Sequence, residues 1–197
     1  MDEYFNLWFG KLLEPWEGGI ADRPLKDDPG GLTNRGVTIG IWKQYATKLF
    51  GIPGTEATLR QITAEQAKRI AYEIYWKAYS IDTITNPAIK ILAAESVWGG
   101  GGYPSIGYRS GTFTQRANQI NADNKTNPKL FDLMVQRRLS YLRSLKNYPV
   151  NARGWENRVM NGDKTRLSLV QLVQKYALNN VAAVAGISIV SLATLFF

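Results

Sequence analysis

Residues 17–38 read EGGIADRPLKDDPGGLTNRGVT, and the rest of the chain is best understood outward from them. Glu17 follows an apolar run and Trp16, a setting expected to desolvate a carboxyl and favour its protonated form, as a general acid at neutral pH requires. Gly18 and Gly19 allow a tight turn and close approach by other groups. Asp28 lies in a Pro-Gly-Gly turn and is expected to be solvated and ionised. A protonated carboxyl facing an ionised one is the arrangement that cleaves glycosidic bonds. Thr33 and Thr38 follow at positions suited to holding a water or orienting a carboxylate. Asp, Gly, Pro and Thr also build ordinary turns, so the residues alone leave both readings open.

Composition narrows the chemistry further. The 197-residue chain has no cysteine and no histidine. That excludes a disulfide framework, a thiol nucleophile, a Ser-His-Asp triad and the common zinc sites, and no metal or cofactor is implied. Catalysis must run on carboxylates, hydroxyls, lysines or main-chain groups. The formal charge of +8 points to anionic partners such as a wall polymer or a membrane surface. It also admits nucleic acid, but no binding motif accompanies the charge, and nucleic acid is not expected as a partner.

The C-terminus differs sharply from what precedes it. No charged residue occurs from Tyr176 to Phe197, and residues 181–197 read VAAVAGISIVSLATLFF. About 20 apolar helical residues span a hydrocarbon core of roughly 30 Å, so the segment is expected to be a transmembrane anchor. The competing reading is a buried C-terminal core helix. Met1-Asp2-Glu3 is acidic where a signal peptide needs a basic start. Lys164, Arg166 and Lys175 before the tail would leave the domain on the cytoplasmic side of an ordinary cell membrane. The expected organisation is a domain over 1–175 and an anchor over 176–197.

Between these ends, helical signals dominate. Asp2 is a cap for a helix with Phe5, Trp8, Phe9, Leu12 and Leu13 at helical spacing, stopping near Pro15. Residues 16–40 read as loops with a small hairpin around Gly36–Gly40. Thr63-Ala-Glu-Gln66 is a capping box opening a helix to about Tyr79. Asn86-Pro87 opens the next helix, which Gly99–Gly102 ends. A short helix over 112–120 and a longer one from Asn127-Pro128 through Lys146 complete the pattern.

The order E-G-G, then D-P-G-G-x-T-x-x-G-V-T, resembles the glycoside hydrolase family 108 N-acetylmuramidases, relatives of phage-type lysozymes. Arg153-Gly154-Trp155-Glu156-Asn157-Arg158 is similar to the family's closing G-W-x-x-R element, so the resemblance spans roughly Asp2 to Val159. It implies an α+β, mostly α, lysozyme-like domain with a small N-terminal β-hairpin and a cleft. It implies Glu17 as the catalytic acid, Asp28 as the second carboxylate, and Thr33 or Thr38 as the accompanying threonine. The family's D-G-x-x-G-P-x-T wall-binding segment has no counterpart here, where residues 121–127 read NADNKTN.

Other candidates carry bland readings beside the functional ones. Glu73 and Glu95 fall on expected helices and read as surface or salt-bridge carboxylates. Trp98, Tyr103 and Tyr108 could stack on sugar rings, with core packing as the alternative; Trp98 and Tyr103 are taken as substrate-binding candidates. Trp155 and Arg158 read as structural. Arg137, Arg138, Arg143 and Lys146 read as one basic helix face. The four-glycine run lacks a dinucleotide fingerprint.

Two readings follow. One is a membrane-anchored muramidase acting on peptidoglycan glycan strands, of viral origin, held in a viral internal membrane or the host inner membrane, with membrane lipid and virion membrane or capsid proteins as partners. The other is a structural or assembly protein on the same scaffold without activity. On either reading the full-length protein should stay with membranes through washing in high salt, which strips proteins held only by charge. Release by salt or carbonate would show that the tail is not inserted.

Overall fold

The computed structural model describes residues 1–22 and 30–177, which form an α+β, mostly α, domain. Asp28 and residues 178–197 lie outside the described residues, and with them most of the expected anchor. Among the described residues no helix is long and apolar enough to cross a membrane.

The first helix, α1 (Glu3–Trp8), begins where Asp2 accepts a hydrogen bond from the Phe5 amide at 2.7 Å. It runs on through a π-helical segment (Phe9–Leu13) into α2 (Glu14–Glu17), with Phe5, Trp8, Leu12 and Leu13 fully inside. The turn after Glu17 feeds an antiparallel sheet of β1 (Ile20–Asp22), β2 (Leu32–Asn34) and β3 (Val37–Thr38), in that order. The hairpin expected around Gly36 is therefore one part of a three-stranded sheet. Its second turn is Arg35-Gly36, with both φ positive at 50° and 73°, the pairing that matches strand twist. Buried Asn34 ties the sheet to α4 (Glu56–Arg60) by donating to the carbonyls of Leu59 and Arg60.

Between sheet and α4 lies a helix the sequence reading did not anticipate, α3 (Ile39–Phe50). Thr38 is its N-cap, accepting from the Ile41 amide at 3.4 Å, and Gly51 closes it in the left-handed conformation. The Thr63 capping box opens α5 (Ala64–Ile70), which continues as a π-helical segment (Ala71–Lys77).

The centre is α6 (Pro87–Trp98), capped by Asn86, in which every residue from Ala88 to Val97 is buried. A helix apolar on nearly all sides belongs inside a domain, and this one is packed by α1, α8 (Leu130–Arg143) and α10 (Leu169–Leu172). The helix expected at 112–120 is longer, α7 (Phe113–Thr126), and the one expected to reach Lys146 ends at Arg143. A further helix, α9 (Tyr148–Glu156), leads into a π-helical turn (Asn157–Asn161). After α10 a final π-helical segment (Val173–Ala177) packs on α6, with Val173 and Ala177 fully buried.

The end of the described chain is thus part of the core. Leu172→Ala should destabilise the domain by about 2–5 kcal/mol, the usual cost of emptying a buried leucine site. Urea unfolding of the two proteins measures it, and an unchanged midpoint would show that α10 contributes nothing to the core.

Candidate active site

Glu17 is the last residue of α2, where the chain leaves the helix for Gly18 and Gly19. Its side chain retains 23% of its exposure and borders a cleft of about 310 Å³ with Trp16, the two glycines, Ile20 and Thr33. Both hydrogen bonds to the carboxylate fall on one oxygen. Trp98 Nε1 donates to Oε1 at 3.2 Å, and the Arg158 guanidinium donates to the same atom. Among the described residues Oε2 has no hydrogen-bond partner. One oxygen is anchored, and the residue as a whole lines the cleft.

Arg158 also binds Glu95 through Nε, and Trp8 Nε1 donates to the second Glu95 oxygen at 3.1 Å. Glu95, only 3% exposed, sits on α6 in the centre of the domain. Burial by itself would lower the Arg158 pKa; the charges and hydrogen bonds of Glu95 and Glu17 outweigh that and raise it. The guanidinium is therefore permanently charged. It comes from the π-helical turn after α9, an irregularity that turns the side chain inward between two carboxylates.

The hairpin closes on this group from the other side. A Cβ at Gly36 would lie 2.7 Å from Trp98 Cζ2 and 2.9 Å from Glu17 Cγ, so only glycine permits this approach. Arg35 pairs with Glu14 at 3.2 Å, holding the same turn to α2. Trp16 is fixed by donating to the Leu167 carbonyl at 2.8 Å, with the Arg166 guanidinium 3.9 Å above its ring. On the α8 side, Arg138 donates to the carbonyls of Gly99 and Gly100 and to Ser105, fixing the glycine run that follows Trp98. Burial lowers the Arg138 pKa, against a raising contribution from Glu95.

The residues singled out in the sequence therefore separate. Glu17 and Thr33 line the cleft together, while Trp98, half-buried, is bonded to Glu17 without lining it. Thr38 stands opposite Thr33 in the sheet, with its hydroxyl engaged in capping α3. Tyr103 is corrected: it is 1% exposed and donates to the Tyr79 carbonyl at 2.7 Å, so it is a core residue with no face for a sugar. Tyr108 is buried as well, bonded to Asp123. The supposed basic face of α8 also breaks up, since Arg138 points inward and Arg143 pairs with Glu156 at 2.8 Å. Arg158, read as structural, is in the site. Its signals were the G-W-x-x-R resemblance and a lone carboxylate, Glu95, in an apolar helix that needed a buried partner.

A larger hollow of about 880 Å³ lies between the 107–111 loop and α7. Among the described residues its one lining carboxylate, Asp123, is occupied by Tyr108 and Gln119 at 2.8 and 2.7 Å, whereas Glu17 lines the smaller cleft.

Residues 11–101 match the family model described as Glycosyl hydrolase 108, which contains Glu17, the whole hairpin, Glu95 and Trp98. This segment of the chain is similar to that glycoside hydrolase family, in the stretch that carries the motif resemblance. The structure of Brucella abortus SagA shares the fold, with a TM-score of 0.59 at 19% identity over 85% of this chain and 90% of that one. No curated protein matches the chain significantly.

Gly36 gives the geometry a direct check. Gly36→Ala should push Trp98 and Glu17 apart and cut activity by about 100-fold, the scale of a 1 Å misplacement near reacting groups. The variant's cleavage rate, measured beside its melting curve, decides this. A folded variant with full activity would show that the contact does not set Glu17.

Proposed function

We propose that the protein is a peptidoglycan hydrolase, an N-acetylmuramidase cleaving the β-1,4 bond between N-acetylmuramic acid and N-acetylglucosamine. The observation that carries this reading is Glu17 on the cleft wall, with Oε1 held by Trp98 and Arg158 and no bond to Oε2 among the described residues. A glycosidic bond breaks when the leaving oxygen takes a proton as positive charge develops on the sugar ring. Glu17 supplies that proton through Oε2, the C1–O bond opens, and water completes the product at C1 with loss of its own proton. Asp28, by its place in the motif, steadies the oxocarbenium-like state or activates the water. Thr33 is the better of the two threonines for holding that water because it lines the cleft with Glu17; its hydroxyl donates to the Gly31 carbonyl at 3.2 Å and keeps lone pairs to accept from the water.

The same reading makes the expected anchor over 176–197, less Tyr176 and Ala177, which pack with the domain, a membrane segment, and the enzyme a viral lytic protein acting at host penetration or at lysis. What supports it is the uncharged, apolar composition of that segment and the phage-leaning motif.

Glu17→Gln keeps the shape and removes the proton donor, so cleavage of purified wall should fall at least about 100-fold with the fold intact. Mass spectrometry of the wild-type fragments should show reducing muramic acid ends. Near-full activity in Glu17→Gln would remove the assignment, and anhydro ends would replace hydrolysis by a lytic transglycosylase reaction.

A further inference from the structure

We propose that Glu95 is the positioning residue of this site: from the buried centre of α6 it shares the Arg158 guanidinium, so that Glu17 faces half of that charge instead of all of it. The inference rests on Glu17 being the proton donor and explains how a carboxyl bound to an arginine can still do that work.

The difficulty is plain from the geometry. A guanidinium beside a single carboxylate favours its ionised form, and ionised Glu17 has no proton to give. Glu95 changes the balance. Arg158 Nε is committed to Glu95 Oε1, and a different nitrogen, Nη1, reaches Glu17 Oε1. Two carboxylates divide one cation. Glu95 holds its share through Arg158 Nε on one oxygen and Trp8 on the other, whose indole is fully buried among Phe5, Trp76 and Trp98.

The surroundings support the same direction. The charged groups facing this pair are Arg158 from the turn after α9 and Arg138 from α8, whose interaction with Glu95 is through space while its hydrogen bonds go to Gly99, Gly100 and Ser105. From the 71–77 segment, Tyr75 packs on Trp98 at 4.7 Å; burial pushes its hydroxyl up to about 12, so it stays neutral. The hairpin contributes the uncharged Gly36 and Thr33 together with Arg35, whose charge is paired with Glu14 of α2 at 3.2 Å, and Arg166, paired with Asp163, lies over Trp16 on the cleft wall. With Glu95 neutralised, both arginines would remain and Glu17 would be the only anion between them.

Glu95 touches neither the cleft nor a sugar placed there, so an effect on activity must pass through Arg158. Wall cleavage by the full chain should be followed as reducing ends released between pH 4 and pH 9 (a range of about that width suffices), with Glu17→Gln as the inactive reference. In Glu95→Gln the alkaline limb should move about one unit lower, a roughly tenfold loss at neutral pH that recovers on acidification. Glu95→Asp keeps the charge on a shorter stem and should move the limb the same way by less. A folded variant with the limb unmoved, losing activity equally at every pH or not at all, would overturn the proposal; should Glu95→Gln fail to fold, the limb of Glu95→Asp decides alone. An active Glu17→Gln would instead remove the reading of Glu17 itself, which keeps the two failures apart.

Discussion

Arg158 held between Glu17 and Glu95 is the constraint on which the rest of the structure depends. The guanidinium joins positions 141 and 63 residues away in the chain, bringing the end of α2, the middle of α6 and the turn after α9 to one point. Such a network is costly to leave half-made. Removing one member of a buried ion pair costs about 3–5 kcal/mol because the partner charge stays desolvated. The core is arranged around that demand: Trp8 satisfies the second Glu95 oxygen, and Trp98 adds a donor to Glu17. The same contacts that make the domain whole hold one oxygen of Glu17 still on the cleft wall.

The glycines complete that arrangement from the solvent side. Gly36 lets the β2–β3 turn touch both Trp98 and Glu17, and Gly99–Gly102 lets the chain fold back under Arg138 and Tyr141. At Gly101 a Cβ would lie 2.5 Å from the Tyr141 ring. This reversal, with positive φ at Gly100, Gly101 and Gly102, turns Tyr103 into the core. An aromatic after a glycine run reads in one dimension as an exposed platform, and the backbone reversal that buries it has no one-dimensional signature.

Local signals in the sequence were accurate where one short-range interaction decides the outcome. Asp2, Thr63 with Gln66, and Asn86 all cap helices as their side chains suggest. Glu17 and the hairpin were legible because their chemistry and spacing sit in one short stretch. α3 was hidden because Thr38, seen as a cleft threonine, is its cap, and because it follows a glycine-rich stretch. Arg158 and Glu95 were legible only separately. Their meeting is a tertiary event between residues 63 apart, and periodicity carries no information about it. The clue that went unused was chemical: Glu95 stands in the run Ile91–Trp98, where a carboxylate can be buried only beside a cation.

The position of Glu17 against a bound glycan tests this account most directly. A crystal structure of Glu17→Gln with an oligosaccharide of alternating N-acetylmuramic acid and N-acetylglucosamine should place a glycosidic oxygen within hydrogen-bond reach, about 2.6–3.2 Å, of the unanchored side-chain atom at position 17. Arg158 should still bridge that position and Glu95. A glycan seated instead in the larger hollow beside α7, with the cleft at Glu17 empty, would contradict the account at its centre.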